Sequence, residues 1–253
     1  EARIGRAIMH QIRQSGSLVE DPQINEYIND IGHRIAAFSN EGGQKFTFFV
    51  VDDPSINAFA LPGGYIGVHS GLIMATETES ELAGVLAHEI AHVTQRHIAR
   101  SLHAADSTNL PALAGLVAAV ILGAYDSQAG AAAATAVTAG RAQYQIDFTR
   151  ANEQEADRIG IQILAKSGLD PRAVPTFFER LQQSYRYYSE PPEFLSTHPV
   201  TVSRIADSRS RAEQYPYRQF ADSKAYKLVQ AKLHVRMERN QLKSVEHFEK
   251  ILE

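Results

Sequence analysis

The alternation of apolar and polar residues predicts a mainly helical chain with one short sheet. Apolar residues recur at helical spacing in segments 2–15, 21–38 and 77–93. Three further segments are rich in β-branched and aromatic residues and predict strands: 46–52, 57–61 and 65–69. Pro62-Gly63-Gly64 joins the last two strands with residues typical of a tight hairpin. We therefore expect an α+β fold, mainly α, with a small antiparallel sheet.

The third predicted helix contains the sequence His-Glu-Ile-Ala-His at residues 88–92. Positions i and i+4 of a helix lie on the same face, so His88 and His92 can bind one metal ion while Glu89 stands beside it. In a chain with ten histidines, such a pattern arises by accident in roughly a few per cent of cases. The context of the motif favours a functional role over a chance match, because the apolar residues around it predict that its helix lies in the protein core. The arrangement is typical of a zinc hydrolase.

A catalytic zinc ion takes three protein ligands and keeps one position open, so a third ligand is expected downstream. Glu153 is the best candidate, at the start of a predicted helix that stops at Gly168. Asp157 lies four positions later on the same face, and we expect it to accept the free ring N–H of a ligand histidine, His88 in our interpretation. Glu155 should point elsewhere, since each residue turns about 100° around the helix. Taken alone, this stretch is more typical of a solvated acidic helix start, and the metal-ligand interpretation depends on its pairing with the motif at residues 88–92.

Four motifs follow one another along the chain, at residues 57–64, 88–92, 152–157 and 196–199, the last followed by Arg204-Ile205. In this order they resemble the gluzincin metallopeptidases that include HtpX and the CaaX prenyl protease. The resemblance covers most of residues 1–210. It implies a zincin-like metalloprotease domain with one zinc ion per chain, bound by His88, His92 and Glu153.

Within that family, the resemblance is strongest to periplasmic members that act as protease and chaperone in outer-membrane protein assembly. It implies a periplasmic location and, as substrates, misfolded or stalled outer-membrane β-barrel proteins. It also implies contact with the β-barrel assembly machinery. The alternative function is a chaperone or assembly factor with latent peptidase activity, although the intact Glu89 argues against a purely binding role.

The expected chemistry follows from these residues. Zinc lowers the pKa of a bound water and polarises the scissile carbonyl, while Glu89 takes the proton from the water and passes it to the leaving amine. His198, in a loop flanked by prolines, is the candidate for a further donor to the oxyanion. It can instead occupy the fourth zinc position and inhibit the enzyme, and both roles stay open. Arg204 can orient this loop or bind the oxyanion, although an arginine at the start of a helix is usually just a salt-bridge partner.

The strand that begins near Asn57 is a candidate for substrate binding. Zincin-like sheets present an edge strand along the active-site cleft, where an extended substrate adds through backbone hydrogen bonds. By the resemblance, four residues lie near that edge: Asn57, Ala58, Phe59 and Ala60. Ordinary sheet core explains Phe59 equally well. We interpret His69 and His97 as structural, because neither has the spacing of a ligand.

The segment between the two metal helices is unusually apolar. From residue 107 to residue 140 the one charged residue is Asp126. A membrane span needs about 20 consecutive apolar residues, and the stretch from Leu110 to Tyr125 is shorter and contains Pro111. We therefore expect a mobile, weakly amphipathic hairpin that caps the cleft, or makes weak contact with a membrane or a client protein.

Composition narrows the remaining possibilities. With 253 residues, 44% of them hydrophobic, the chain can form one large domain or a domain with a small appendage. A formal net charge of −4 argues against nucleic acid as a partner. The lack of cysteine excludes a thiolate metal site, a cysteine nucleophile and disulfides. Residues 1–5 lack the apolar region of a signal peptide and do not begin with methionine, so we expect a processed or trimmed piece.

The character of the sequence changes after Tyr217. Segments 223–237 and 241–252 predict a pair of helices whose small and aromatic positions resemble a tetratricopeptide unit. Arrays of such units need about three repeats for stability. We therefore predict a metallopeptidase domain over 1–217 and the start of a truncated repeat domain over 218–253. The missing repeats would bind partner proteins.

Overall fold

Helices surround a small sheet in the computed structural model, which describes residues 2–39, 43–104, 150–185, 192–238 and 240–252. The strands are β1 Thr47–Val51, β2 Ala58–Leu61 and β3 Tyr65–His69. The helices are α1 Ala2–Gln14, α2 Pro22–Ala36, α3 Ser70–Ala75, α4 Glu79–Thr94, α5 His97–Ala104, α6 Arg150–Lys166, α7 Ala173–Ser184, α8 Glu193–Thr197, α9 Val202–Ala212, α10 Lys224–Met237 and α11 Gln241–Leu252. The predicted class, α+β and mainly α, is confirmed.

The sheet is mixed, which corrects the predicted antiparallel sheet. Its order is β1-β3-β2, with β2 antiparallel to β3 and β1 parallel to β3. Gly63 and Gly64 adopt positive φ values of 87° and 85°, which allow the tight turn between β2 and β3. The chain reverses direction between β1 and β2 and again in this hairpin. Strands β1 and β3 therefore run the same way, and they must pair in parallel once they are neighbours.

Successive residues of the strands face different cores, as the period of two requires. Phe48 and Val50 of β1 belong to the larger core, which also contains residues of α2, α4, α6 and α7. Phe49 and Val51 belong to a smaller core formed with α1. Strand β2 stands at one edge of the sheet and contacts α4. The edge of the sheet thus lies against the helix that carries the histidine motif.

Helix α4 is enclosed along almost its whole length. It begins after Thr78, whose Oγ1 accepts a hydrogen bond from the backbone N–H of Glu81 at 3.2 Å. All residues of α4 except Val93 are buried. Small residues in α4 allow neighbouring elements to pack closely against it. At Gly84, for example, an added Cβ would lie only 2.8 Å from Cγ2 of Val174. The motif therefore lies inside the protein and not on one amphipathic face.

Helix α6 approaches α4 most closely at Gly160. A Cβ on Gly160 would lie 3.1 Å from the backbone nitrogen of His88, closer than almost all real Cβ contacts. The bare backbone of α6 thus packs directly on the turn of α4 that carries the motif. Glu153 and Asp157 lie seven and three positions earlier on the same face of α6, so this contact points both carboxylates toward His88.

The C-terminal helices continue the fold beyond α9. Helix α10 packs on α2 and α3 through three buried side chains, Tyr226, Val229 and Leu233. The carboxylate of Glu79, in the first turn of α4, accepts hydrogen bonds from the Tyr27 hydroxyl at 2.9 Å and from the Ser223 hydroxyl and backbone N–H at 2.7 and 3.0 Å. The domain boundary after residue 217 and the tetratricopeptide character of α10 and α11 stay predictions.

The predicted hairpin over residues 107–140 lies outside the described residues, so its contacts stay a prediction. Within the described part of the chain, the helices fall short of the length and hydrophobicity needed to cross a membrane.

We predict that Gly160→Val separates α4 from α6 and weakens the fold. A branched side chain at this contact must displace backbone, and overpacking of this kind costs about 1–3 kcal/mol. Denaturant unfolding measures the loss, with Arg158→Val as a control that places the same residue at an exposed position of α6. Equal stability of the two variants would contradict the prediction.

Candidate active site

Four side chains from three parts of the chain meet in one buried cluster. His88 and His92 lie one turn apart on α4, with their Nε2 atoms 2.9 Å apart. Glu153, in the first turn of α6, places Oε2 3.5 Å from His88 Nε2 and Oε1 3.3 Å from His92 Nε2. His198 follows α8, and its Nδ1 lies 3.4 Å from His88 Nε2 and 3.2 Å from both oxygens of Glu153. All four residues are at most 2% exposed.

The chemistry of this cluster fits a metal ion. One ligand atom from each residue lies within 4.8 Å of the others. These atoms are imidazole nitrogens and carboxylate oxygens, which carry lone pairs. Without a cation between them, the lone pairs repel one another; a bound cation stabilises them. Two imidazoles and a carboxylate, with one further position, form a ligand set found in catalytic metal sites. The cluster can therefore hold a metal ion.

Asp157 lies behind His88, on the side away from the cluster. Its Oδ1 is 2.9 Å from His88 Nδ1, and both residues are 2% exposed. Burial lowers the pKa of His88, but the carboxylates of Asp157 and Glu153 outweigh it and raise the pKa to about 10. A ring that attracts a proton so strongly through its carboxylate partners also becomes a more basic metal ligand.

Arg204, in the first turn of α9, is directed at the carboxylates of α6. Its Nε and Nη2 donate to the two oxygens of Asp157 at 2.7 and 2.8 Å, and Nη1 lies 2.9 Å from Glu153 Oε2. Nη1 also donates to the carbonyl of Pro199 at 2.9 Å. Burial raises the pKa of Asp157, yet the hydrogen bonds from Arg204 and His88 hold it below its usual value. Arg204 thus links α9 to the carboxylates of α6 and to the carbonyl of Pro199, next to His198, while its role in catalysis stays a prediction.

Glu89 lies between the cluster and the edge of the sheet. It is 1% exposed, and its Oε1 is 3.4 Å from His198 Nε2. The backbone N–H of Ala60 lies near its carboxylate and tends to lower its pKa. Burial raises the pKa of Glu89, and the charges of His198 and His88 oppose this effect without cancelling it. A carboxylate with a raised pKa is a better proton acceptor near neutral pH.

The structure brings one end of the predicted substrate strand to the site. Ala60 contacts Glu89 through its backbone, and β2 is an edge strand. The Phe59 ring packs against Phe49 and His69, at centroid distances of 5.9 and 5.8 Å, and so contributes to the smaller core. Asn57 is 4% exposed, and its side chain lies near that of Glu193 at the start of α8.

Phe194 is an anchor for the His198 loop that the sequence did not reveal. Its side chain is fully buried and its ring centroid lies 4.9 Å from that of His198. Its backbone N–H donates to the carbonyl of Ile56 at 3.1 Å, just before β2. A lone phenylalanine in a proline-rich loop carries no sequence signal of this role.

His97, which we interpreted as structural, lies against a metal-ligand candidate. Its Nδ1 is 2.8 Å from Nδ1 of His92, and its Nε2 is 3.1 Å from Glu155 Oε2. Burial lowers the pKa of His97, although Glu155 opposes this effect. Glu155 points away from the cluster, as expected. His69 lies elsewhere, where its Nδ1 is 2.8 Å from the Ser55 hydroxyl.

Relatives of known type match most of this chain. A protein of Vibrio cholerae is 48% identical over 232 residues, which are 92% of this chain and 48% of the relative. The beta-barrel assembly-enhancing protease of Escherichia coli strain K12 is 46% identical over 214 residues, 85% of this chain and 44% of the relative. The mitochondrial metalloendopeptidase OMA1 of Schizosaccharomyces pombe is 31% identical over 186 residues, 71% of this chain and 50% of the relative. The chain thus spans about half the length of the curated relatives it matches.

The sequence profile of peptidase family M48 matches residues 22–212. This range covers three quarters of the chain and includes every member of the buried cluster together with Glu89, Asp157 and Arg204. The chain belongs to peptidase family M48.

Proposed function

We propose that this chain is a zinc-dependent endopeptidase whose ion is bound by His88, His92 and Glu153. The observation that carries the proposal is the convergence of these buried ligand atoms beside the carboxylate of Glu89. Membership of a metallopeptidase family implies a metal, and relatives named as a protease and a metalloendopeptidase support hydrolysis of peptide bonds. Zinc suits two imidazoles and one carboxylate with an open fourth position, and the ligand atoms of the cluster lie within 4.8 Å of one another.

Zinc, when bound, supplies the Lewis acidity that activates water and polarises the peptide carbonyl. Glu89 then acts as the general base that accepts the proton of the attacking water and passes it to the leaving amine. Its raised pKa favours this transfer. Asp157 fixes the tautomer of His88, and Arg204 is a positioning residue that keeps Asp157 and Glu153 ionised and oriented.

We also propose that substrates are outer-membrane β-barrel proteins that are misfolded or stalled. The proposal rests on relatives named beta-barrel assembly-enhancing protease and on the edge strand next to Glu89. An unassembled barrel exposes unpaired strand edges, and such an edge can add to β2 through backbone hydrogen bonds. Residues Asn57 to Ala60 would receive it, and the site of action would be the periplasm.

The same site supports self-inhibition by His198. Its Nδ1 lies among the ligand atoms while its Nε2 lies 3.4 Å from Glu89 Oε1, so one ring covers both the fourth ligand position and the general base. Phe194 and the bond from Arg204 to Pro199 hold this loop in place. Substrate access would require the loop to move.

This covered site favours a second candidate function, a chaperone or assembly factor for β-barrel proteins with latent peptidase activity. The same proposal includes two contacts. One is with the β-barrel assembly machinery through further repeats, and the other is a weak membrane contact through residues 107–140. Binding of an unfolded β-barrel protein by a Glu89→Gln variant separates binding from cleavage.

We predict that Glu89→Gln abolishes proteolysis without releasing zinc. Glutamine keeps the shape of the side chain but cannot accept a proton, and loss of general acid–base catalysis lowers the rate by about 10²- to 10⁴-fold. Casein cleavage in the presence of zinc measures activity, and metal analysis of the purified protein measures occupancy. Cleavage by Glu89→Gln at the wild-type rate would remove Glu89 from the mechanism.

The two roles of His198 make opposite predictions. If His198 blocks the site, His198→Ala cleaves casein faster than the wild type; if it stabilises the tetrahedral intermediate, the variant is slower. We expect the faster rate, because the ring lies among the ligand atoms. Ser196→Ala, at an exposed position of α8 two residues before His198, is the control and should match the wild type. Inactivity of both wild type and His198→Ala with zinc bound would contradict the proposed peptidase.

Removing an outer partner of a metal ligand typically weakens metal binding by about 10- to 100-fold. Glu153 is proposed as a ligand itself, so Glu153→Gln should weaken zinc binding by more than this. The amide oxygen carries no charge to offset the cation, and the other two protein ligands remain. Competition with a chelator measures the affinity. Glu213→Gln makes the same change at an exposed position of the chain and should bind zinc like the wild type.

A further inference from the structure

A chain of polar contacts runs from His92 to the protein surface. His92 directs Nε2 into the cluster and Nδ1 toward Nδ1 of His97, 2.8 Å away. His97 directs Nε2 toward Glu155 Oε2, which also accepts from Arg100 Nη1 at 3.0 Å. Exposure rises along this chain, because His92 and His97 are fully buried whereas Glu155 and Arg100 are 28% and 53% exposed.

The hydrogen positions in this chain are fixed by the requirements of metal binding. A neutral histidine binds a metal through a nitrogen lone pair and carries its proton on the other ring nitrogen. His92 must therefore hold its proton on Nδ1 when Nε2 is a ligand. That proton is donated to His97 Nδ1, so His97 carries its own proton on Nε2 and donates it to Glu155. Each donor faces an acceptor, and the carboxylate ends the chain.

The backbone is bent to create this contact. On a continuous helix, His97 would lie about 140° around the axis from His92 and could not face it. Helix α4 instead ends at Thr94, and Arg96 adopts a φ of 54°, which is the one positive φ among the non-glycine residues that the structure describes. This left-handed conformation costs about 1–2 kcal/mol in a residue other than glycine. The bend aims His97 back at His92 and starts α5.

We propose that His97 is a positioning residue of the metal site, which fixes the tautomer and orientation of His92 and is itself held by Glu155 and Arg100. The inference rests on the proposed zinc function of the cluster. It gives the two histidine ligands different supports: a carboxylate, Asp157, behind His88, and a neutral imidazole behind His92. Removal of an outer partner of this kind typically costs about 10- to 100-fold in metal affinity.

Two substitutions at His97 separate positioning from packing. His97→Leu fills similar space without an acceptor, whereas His97→Asn places an amide oxygen close to the position of the imidazole Nδ1. Zinc affinity is measured by chelator competition on the whole chain, and thermal unfolding of the zinc-free protein reports packing. We expect His97→Leu to bind zinc about 10- to 100-fold more weakly than the wild type, and His97→Asn to recover most of that loss.

His69→Leu is the matched control, because His69 is also buried, at 3% exposed, and lies away from the ligand atoms. It should lower thermal stability and leave zinc affinity unchanged. Wild-type affinity in His97→Leu, equal losses in both His97 variants, or an equal loss in His69→Leu would each overturn the inference. A wild-type chain that binds no zinc would instead overturn the proposed function itself.

If His97→Leu does not fold, Glu155→Ala provides a second test of the inference. Glu155 is partly exposed, so its truncation leaves the core intact. Weaker zinc binding by Glu155→Ala supports the inference, and affinity equal to the wild type overturns it.

Discussion

The centre of this molecule depends on balancing the charge of three carboxylates that are buried close to one another. Glu89, Glu153 and Asp157 are 1%, 2% and 2% exposed, and an ionised carboxylate removed from water needs a compensating partner. Arg204 supplies one positive charge, directed at Glu153 and Asp157. When the histidines are neutral, as metal ligands must be, and the carboxylates are ionised, two negative charges remain. A divalent cation held by the buried cluster would balance them.

The compensating groups come from distant parts of the chain, so the site forms only when the fold is complete. His88 and His92 belong to α4, the carboxylates Glu153 and Asp157 to α6, and Arg204 to α9, while His198 follows α8. The close contact at Gly160 brings the first two helices together, and the three hydrogen bonds of Arg204 to Asp157 and Pro199 bring the third. Burial of the charges and assembly of the helices are therefore one event.

Sequence patterns identified the parts of the site that depend on local helical geometry. The spacing of His88 and His92, and of Glu153 and Asp157, is fixed by 3.6 residues per turn, so these residues could be proposed without a structure. The parallel pairing of β1 with β3 depends on which edge the chain reaches after two reversals, which no local pattern encodes. The contact of His97 with His92 depends on a bend at Arg96, and arginine carries no preference for that conformation.

The two ends of α4 are fixed by different means, and this explains how its ligands can be held before an ion binds. At the first turn, Glu79 accepts hydrogen bonds from Tyr27 of α2 and from Ser223 before α10. At the last turn, the bend at Arg96 returns His97 to His92, and Arg100 joins Asn152 and Glu155 of α6. Between these ends, the enclosed helix has no free face on which to turn. The orientation of the histidines is thus set by the fold, and binding an ion requires little further ordering of α4.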